Sequence, residues 1–195
     1  GIQPLRYADD LRLRGDTDRA LEQYDQAARL SPSDPRCYFA RATLYYKRRQ
    51  FDRALEDLNR AIELAPHDYL LYSWRAAVYA QGKADYRRAA ADLDQAIARK
   101  PDDAKLYRRR AEARGSLDDY EGAADDYTDA ITRNPDDAES LIGRAVAYQL
   151  LGDHELALVS FDCAIALRPG MATLYGLRSD SHAASGDLPR ARADC

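Results

Sequence analysis

Apolar and small residues recur along this chain at helical spacing, in blocks separated by short polar breaks that contain proline. From Pro35 to Arg48, Tyr38, Ala42 and Tyr45 fall one turn apart, and from Phe51 to Leu64, Ala54, Leu55, Leu58, Ala61 and Ile62 do the same. The spacing predicts two helices of about 14 residues, each about 21 Å long. Asp34 stands just before the first helix, where a carboxylate accepts from orphan backbone N–H groups and opposes the helix dipole. Pro35 follows at a first-turn position that tolerates it. Pro66 stops the second helix, because a proline has no N–H to continue the ladder.

This block, residues 35–68, repeats from one end of the chain to the other. Shifted forward by 34, Ala42 and Tyr45 land on Ala76 and Tyr79, and a one-residue gap near Gly82 to Asp85 brings Ala89, Leu93, Ala96 and Pro101 into register. Copies at 104–137 and 138–171 need no gap: Ala111, Ala123, Tyr127, Ala130 and Pro135 mark one, and Ala145, Tyr148, Ala157, Phe161, Ala164 and Pro169 the other. Ala8, Ala20, Tyr24, Ala27 and Pro32 mark a first copy, and a partial sixth runs from Ala172 through Ser179, His182 and Ala191 to Cys195. Asp68, Asp103 and Asp137 repeat the capping place of Asp34. Small residues let paired helices approach closely, and the aromatic ones fill the space between neighbouring copies.

A period of 34, with small residues at the eighth, twentieth and twenty-seventh places and proline at the thirty-second, resembles the tetratricopeptide repeat. An aromatic or leucine usually fills the eleventh and twenty-fourth places as well. The resemblance covers essentially the whole chain, as one repeat domain over residues 1–195 with copies at 1–34, 35–68, 69–103, 104–137, 138–171 and 172–195. Two places depart from the pattern: Pro4 stands where later copies carry Tyr38, Tyr72, Tyr107, Leu141 and Tyr175, and copy four has Arg114 at the eleventh place. The resemblance implies an all-α fold, a right-handed superhelical solenoid of antiparallel helix pairs with about five full repeats and a truncated sixth. First helices would line a concave inner surface and second helices would lie outside. It also implies a non-catalytic scaffold that holds a peptide or partner protein in the concave groove. Of the carboxylate clamp known in the family, only Lys105 and Arg109 match, with Phe39, Thr43 and Trp74 in the other places, so chaperone-tail binding of that type is not expected.

Composition narrows the classes further. The chain has 195 residues, 46% hydrophobic and 32% charged, enough for a long continuous core but with no apolar run near membrane-spanning length and no signal peptide. A net charge of -4 and a pI near 5.4 argue against nucleic acid as the partner. Arginine far outnumbers lysine, which fits a GC-rich bacterial source. Cys37, Cys163 and Cys195 fall in copies two, five and six without metal-ligand spacing, which reads as free thiols in a reducing, cytoplasmic compartment. His67 sits in a turn, His154 replaces an aromatic at a helix start, and His182 takes the packing place of Tyr45, Tyr79 and Tyr148. With no phosphate loop, catalytic triad order or acidic metal cluster, no catalytic residue, no metal, no cofactor and no enzyme activity are expected. The sequence opens on Gly1 and its last copy stops inside a second helix, which predicts either a longer parent protein or another molecule covering the apolar end.

Charged places also repeat. Arg41, Arg75, Arg110, Arg144 and Arg178 occupy the seventh place, and Asp57, Asp92, Asp126 and Asp194 the twenty-third. Copy one loses both together, with Tyr7 and Gln23, while copy five sets Arg144 against Ser160. The covariation predicts an ion pair between the two helices of one repeat.

Two candidate surfaces follow. Projecting the inner positions of the first helices groups Phe39, Thr43, Tyr46, Ser73 and Trp74 of copies two and three beside Lys105, Arg108, Arg109 and Glu112 of copy four. Rings beside a basic cluster suit an extended peptide with a bulky apolar side chain and a nearby carboxylate. Nucleic acid fits this site poorly, because Asp118, Asp119, Glu121, Asp125, Asp126 and Asp129 follow on the next helix. The second surface is the outer wall. Its nineteenth, twenty-second, twenty-sixth and twenty-ninth places read Arg53, Glu56, Arg60 and Glu63 in copy two, and Gly122, Asp125, Asp129 and Thr132 in copy four. In copy five they read Leu156, Val159, Cys163 and Ala166, an apolar stripe for a partner or for self-association, and the alternative function is therefore a structural or oligomerisation module.

Overall fold

The computed structural model describes residues 3–194, and the side chains of Gln3 and Pro4 lie outside the described set, as does Cys195. The described residues form twelve helices and no strand. They are α1 (Gln3–Leu13), α2 (Thr17–Leu30), α3 (Pro35–Lys47), α4 (Phe51–Leu64), α5 (Tyr69–Lys83), α6 (Tyr86–Arg99), α7 (Ala104–Gly115), α8 (Tyr120–Arg133), α9 (Ala138–Leu151), α10 (His154–Leu167), α11 (Ala172–Ala184) and α12 (Leu188–Asp194). Each sequence copy thus supplies one helix pair. The helices cluster into two compact units, Gly1–Lys100 with α1 to α6 and Pro101–Cys195 with α7 to α12. Inside each unit the helices pack mainly against their chain neighbours.

The repeated small residues are the reason the helices fit. Ala8 and Ala20, Ala42 and Ala54, Ala76 and Ala89, Ala111 and Ala123, and Ala145 and Ala157 are almost completely buried. Tyr24, Leu58, Leu93, Tyr127 and Phe161, at the twenty-fourth place, are buried as well and fill the cores between. The fourth-place tyrosines do more than pack: the Tyr38, Tyr72, Tyr107 and Tyr175 hydroxyls donate to the Pro32, Pro66, Pro101 and Pro169 carbonyls at 3.0–3.2 Å, pinning the turn before each first helix. Buried His182 fills the place of the aromatic residues, as its position in the repeat implies.

Capping agrees with expectation at three of the four aspartates. Asp34, Asp68 and Asp103 accept from the backbone N–H of Arg36, Leu70 and Lys105. Asp137 precedes α9 without a side-chain cap bond. Its carboxylate turns inward instead to Arg108 Nη1 at 3.0 Å and to the Ser140 hydroxyl at 2.7 Å, because a guanidinium within reach outbids a neutral backbone donor. Second helices are capped too, by Asp16, Asp85 and Asp119, at a place the periodicity did not single out.

The predicted Arg–Asp pairs form. Arg41 Nε lies 2.8 Å from Asp57, Arg75 Nε 2.8 Å from Asp92, Arg110 Nε 2.9 Å from Asp126 and Arg178 Nε 2.7 Å from Asp194. All four are two-pronged, with the aspartate side chains only 2–8% exposed. Arg114, the residue that departs from the repeat pattern, adds a second guanidinium to Asp126 at 3.0 Å. The arginines also reach back to the preceding copy. Arg41 bonds Asp25 of the preceding copy, Arg75 bonds Asn59 at 2.7 Å, and Arg178 bonds Asp162 at 2.7 Å. Each of these arginines therefore ties two consecutive second helices to the first helix between them. In copy five the acceptors are neutral: Arg144 donates to Ser160 at 3.1 Å and reaches Thr128 at 3.5 Å.

Candidate functional site

In the first unit, the first helices α1, α3 and α5 together line a groove of about 680 Å3. Each presents the face opposite its own second helix, so residues one turn apart line up along the groove. Phe39 and Thr43 come from α3 and Trp74 from α5, as projected. Trp74 is the centre of a ring ladder, edge-on to Phe39 at 6.0 Å and 75° and to Tyr46 at 5.6 Å and 89°. Tyr46 continues the ladder to Phe51 at 5.9 Å. Such edge-to-face pairs hold the rings in fixed orientation, leaving their remaining surface presented as a rigid apolar wall. Gly82 makes room for the ladder, since a Cβ there would lie 2.4 Å from Phe51 Cγ. The Tyr46 hydroxyl is tied to Gln81. Ser73, by contrast, is buried and offers the groove no open surface.

The charge in this groove comes from residues that the sequence projection did not select. Arg6 and Arg12 of α1, and Arg36 and Lys47 of α3, line it alongside the rings. Arg36 is held on Asp34, which keeps the Asp34 carboxyl below the ordinary aspartate range, and Arg12 lies 3.8 Å from Asp9. Arg6 and Lys47 have no carboxylate partner among the described residues. The signal was present in the sequence, because Arg6, Asp9 and Arg12 occupy the sixth, ninth and twelfth places that Trp74, Thr43 and Tyr46 hold in later copies. Copy one matched the repeat least well, and its inner face was not projected.

The second unit holds the other expected cluster. Lys105 and Glu112 are exposed on α7, and Arg108 and Arg109 are half-buried. Arg108 is already engaged, 3.0 Å from Asp137, 3.7 Å from Glu112 and 4.0 Å from Glu139. Its guanidinium is thus neutralised within the unit rather than presented to a ligand. Beside it, Glu112, Tyr120, Tyr127, Gly143, Val146 and Leu150 line a smaller groove of about 380 Å3. Burial pushes the Tyr127 hydroxyl up to about 12, with the Glu112 carboxylate adding to the shift. Gly143 lets that ring lie close against α9, where a Cβ would come 2.3 Å from Tyr127 Cζ.

On α10, Leu156, Val159, Cys163 and Ala166 are all exposed, Val159 by 58% and Leu156 by 49%. The equivalent places in copy two, Arg53, Glu56, Arg60 and Glu63, are exposed and charged. Among the described residues no group of three or more histidine, cysteine or acidic side chains is arranged to hold a metal, and no helix is long and apolar enough to cross a membrane.

Comparison with known proteins agrees with this geometry. Two tetratricopeptide repeat family models match, one over residues 12–78 and the other over residues 110–172. No curated protein matches the sequence significantly. Among solved structures, a tetratricopeptide repeat protein from Parabacteroides merdae is similar with a TM-score of 0.83 at 20% identity, over 98% of this chain and 76% of that one. YrrB, described as a TPR protein with an unusual peptide-binding site, has a TM-score of 0.78 at 20% identity, over 88% of both chains. MamA has a TM-score of 0.79 at 18% identity, over 82% of this chain and 87% of that one. At such identities the likeness is one of fold, an all-α helical repeat solenoid.

Proposed function

Since the chain belongs to the tetratricopeptide repeat family, whose members bind proteins or peptides, we propose that it is a non-catalytic scaffold that grips an extended partner segment on the first-helix face of its first unit. The observation that carries the reading is the groove itself: the rigid rings of Phe39 and Trp74 stand among Arg6, Arg12, Arg36 and Lys47 in a single concavity. A bulky apolar side chain buries area on the rings, while a carboxylate nearby meets charge-assisted donors. Arg6 and Lys47 are the donors with capacity left for it, since Arg36 and Arg12 already face Asp34 and Asp9. YrrB, similar in fold, is described as binding a peptide, which supports looking for a peptide here.

The test is a selection of displayed random peptides on the full chain, followed by affinity measurement with the wild type, Trp74→Ala and the double variant Arg6→Glu, Lys47→Glu. Both variants are expected to weaken the selected peptides by at least about tenfold while helicity and melting are retained. Arg109→Glu serves as the comparison for the copy-four cluster. Peptides that bind both groove variants as tightly as the wild type would place the ligand elsewhere.

A further inference from the structure

The outer side of copy five departs from its neighbours in two ways at once. In copies two, three and six the seventh-place arginine grips a buried aspartate, Asp57, Asp92 or Asp194, with two hydrogen bonds. Arg144 finds hydroxyls instead, Ser160 at 3.1 Å and Thr128 at 3.5 Å, and it has no carboxylate partner among the described residues. A hydroxyl neither neutralises a guanidinium nor fills its two-pronged donor edge, so this half-buried cation keeps donors for an incoming acid. The second departure lies on the same side of the unit. Leu156, Val159, Cys163 and Ala166 stand exposed where copy two carries four charged residues and copy four two aspartates. In copy two the corresponding places line one groove of about 570 Å3 together with Arg41, so the shared register sets Arg144 at the edge of the apolar stripe.

We propose that the outer face of α10 docks an amphipathic helix of another protein, which lays its apolar stripe on Leu156, Val159 and Cys163 and sends an aspartate or glutamate to Arg144. The stripe follows one face of a straight helix for about 15 Å, a shape that the ridge of a second helix fits. Charge complementarity chooses the occupant. A partner acid completes the rung that Asp57, Asp92 and Asp194 complete in the other copies, whereas an antiparallel second copy docked stripe to stripe sets a second Arg144 beside the first, because its own Glu155 and Asp162 lie on the flank of the stripe away from Ser160. Asp162, further along α10, is already held by Arg178 at 2.7 Å and leaves Arg144 unneutralised.

The experiment selects displayed helical peptides on the full chain and compares their binding to wild type, Val159→Glu, Ser160→Asp and Trp74→Ala. Ser160→Asp restores the residue that other copies carry, so it closes Arg144 internally without weakening the repeat. The expected peptides carry an acid beside an apolar stripe, and they bind Val159→Glu and Ser160→Asp at least about tenfold more weakly with melting retained. They bind Trp74→Ala as they bind the wild type, which separates this face from the first-helix groove. Should Ser160→Asp melt below the wild type, Arg144→Gln carries the same test. Selection of no acid-bearing apolar helices, or binding that survives both outer-face variants, overturns the proposal. A dimer in solution that Val159→Glu dissociates also overturns it, by putting a second copy on the stripe.

Discussion

Arg75 illustrates what one side chain does in this molecule. Its Nε and Nη2 hold Asp92 at 2.8 and 2.7 Å while Nη1 reaches Asn59 at 2.7 Å, so one planar fork joins α4, α5 and α6. The arginine and aspartate side chains are 21% and 8% exposed, which makes the pair largely desolvated. Removing one partner of such a pair leaves the other charge stranded, at about 3–5 kcal/mol, whereas losing the neutral Asn59 acceptor costs about 1 kcal/mol. Arg75→Ala and Asp92→Ala are therefore each expected to destabilise strongly, and the double variant to fall well short of the sum. Denaturant melting of the four proteins checks this, and strict additivity would refute the coupling. The half of the bond network inside one repeat was legible in the sequence, because Arg and Asp recur at fixed places in four copies and copy one loses both together. The half between repeats was not. Asp25, Asn59, Thr128 and Asp162 all stand at the twenty-fifth place, but their types vary from carboxylate to amide to hydroxyl, and which second helix a guanidinium reaches depends on how helices stack, which a period does not state. The inward turn of Asp137 was hidden for the same reason: its competitor, Arg108, lies on another helix.

Helix boundaries show a parallel division between what residue type announces and what the fold imposes. The fifteenth place of every copy, just after the first helix, has a left-handed backbone: Gly15, Gly152 and Gly186 at φ 82 to 84, but also Arg49 at 58, Ala84 at 50 and Asp118 at 62. In each case the next residue's N–H returns to a carbonyl of the last helical turn, as Gln50 does to Tyr45 at 2.8 Å and Asp119 to Arg114 at 3.0 Å. This closure satisfies orphan carbonyls and demands the left-handed residue whatever its side chain. Three non-glycine residues there give no hint in sequence, so the turn conformation was missed although both flanking helices were found. In copy three the extra residue lengthens α5 to 15 residues, against 13 in α3, and the gap placed near Gly82 to Asp85 falls at its end. A Cβ in this conformation costs about 1–2 kcal/mol, and glycine gives back about 0.5–1 kcal/mol through its freer unfolded chain. Ala84→Gly is thus expected to raise stability by about 0.5–1 kcal/mol. Asp118→Gly gains less, because aspartate tolerates the conformation and its carboxylate accepts from the Tyr120 hydroxyl at 2.7 Å. Thermal melting decides, and a lower midpoint for Ala84→Gly would refute the account.

Contacts within each unit run chiefly from a helix to the next one along the chain, α1 to α2, α2 to α3 and onward, so no distant segment is needed to complete a core. Stability in such a chain is close to a sum over repeats and their nearest-neighbour interfaces. The segment Gly1–Lys100, with α1 to α6, is therefore expected to fold alone. It should keep its helicity per residue, melt cooperatively below the full chain, and show a denaturant slope about half as large, since that slope follows the surface exposed on unfolding. A coil-like circular dichroism spectrum for the isolated segment would refute this. The same fragment weighs the two readings of the binding site against each other. Periodicity had found the rings of Phe39 and Trp74 but paired them with Lys105, Arg108 and Arg109, because copy four is the most basic first helix in the sequence. The groove itself carries Arg6, Arg12, Arg36 and Lys47, supplied by the copy whose repeat pattern is weakest. If the ligand's carboxylate is met by those residues, the fragment retains the affinity of the full chain for peptides selected on the rings. If Lys105 and Arg109 meet it, the fragment loses that affinity although it is folded, and Arg109→Glu in the full chain loses it equally.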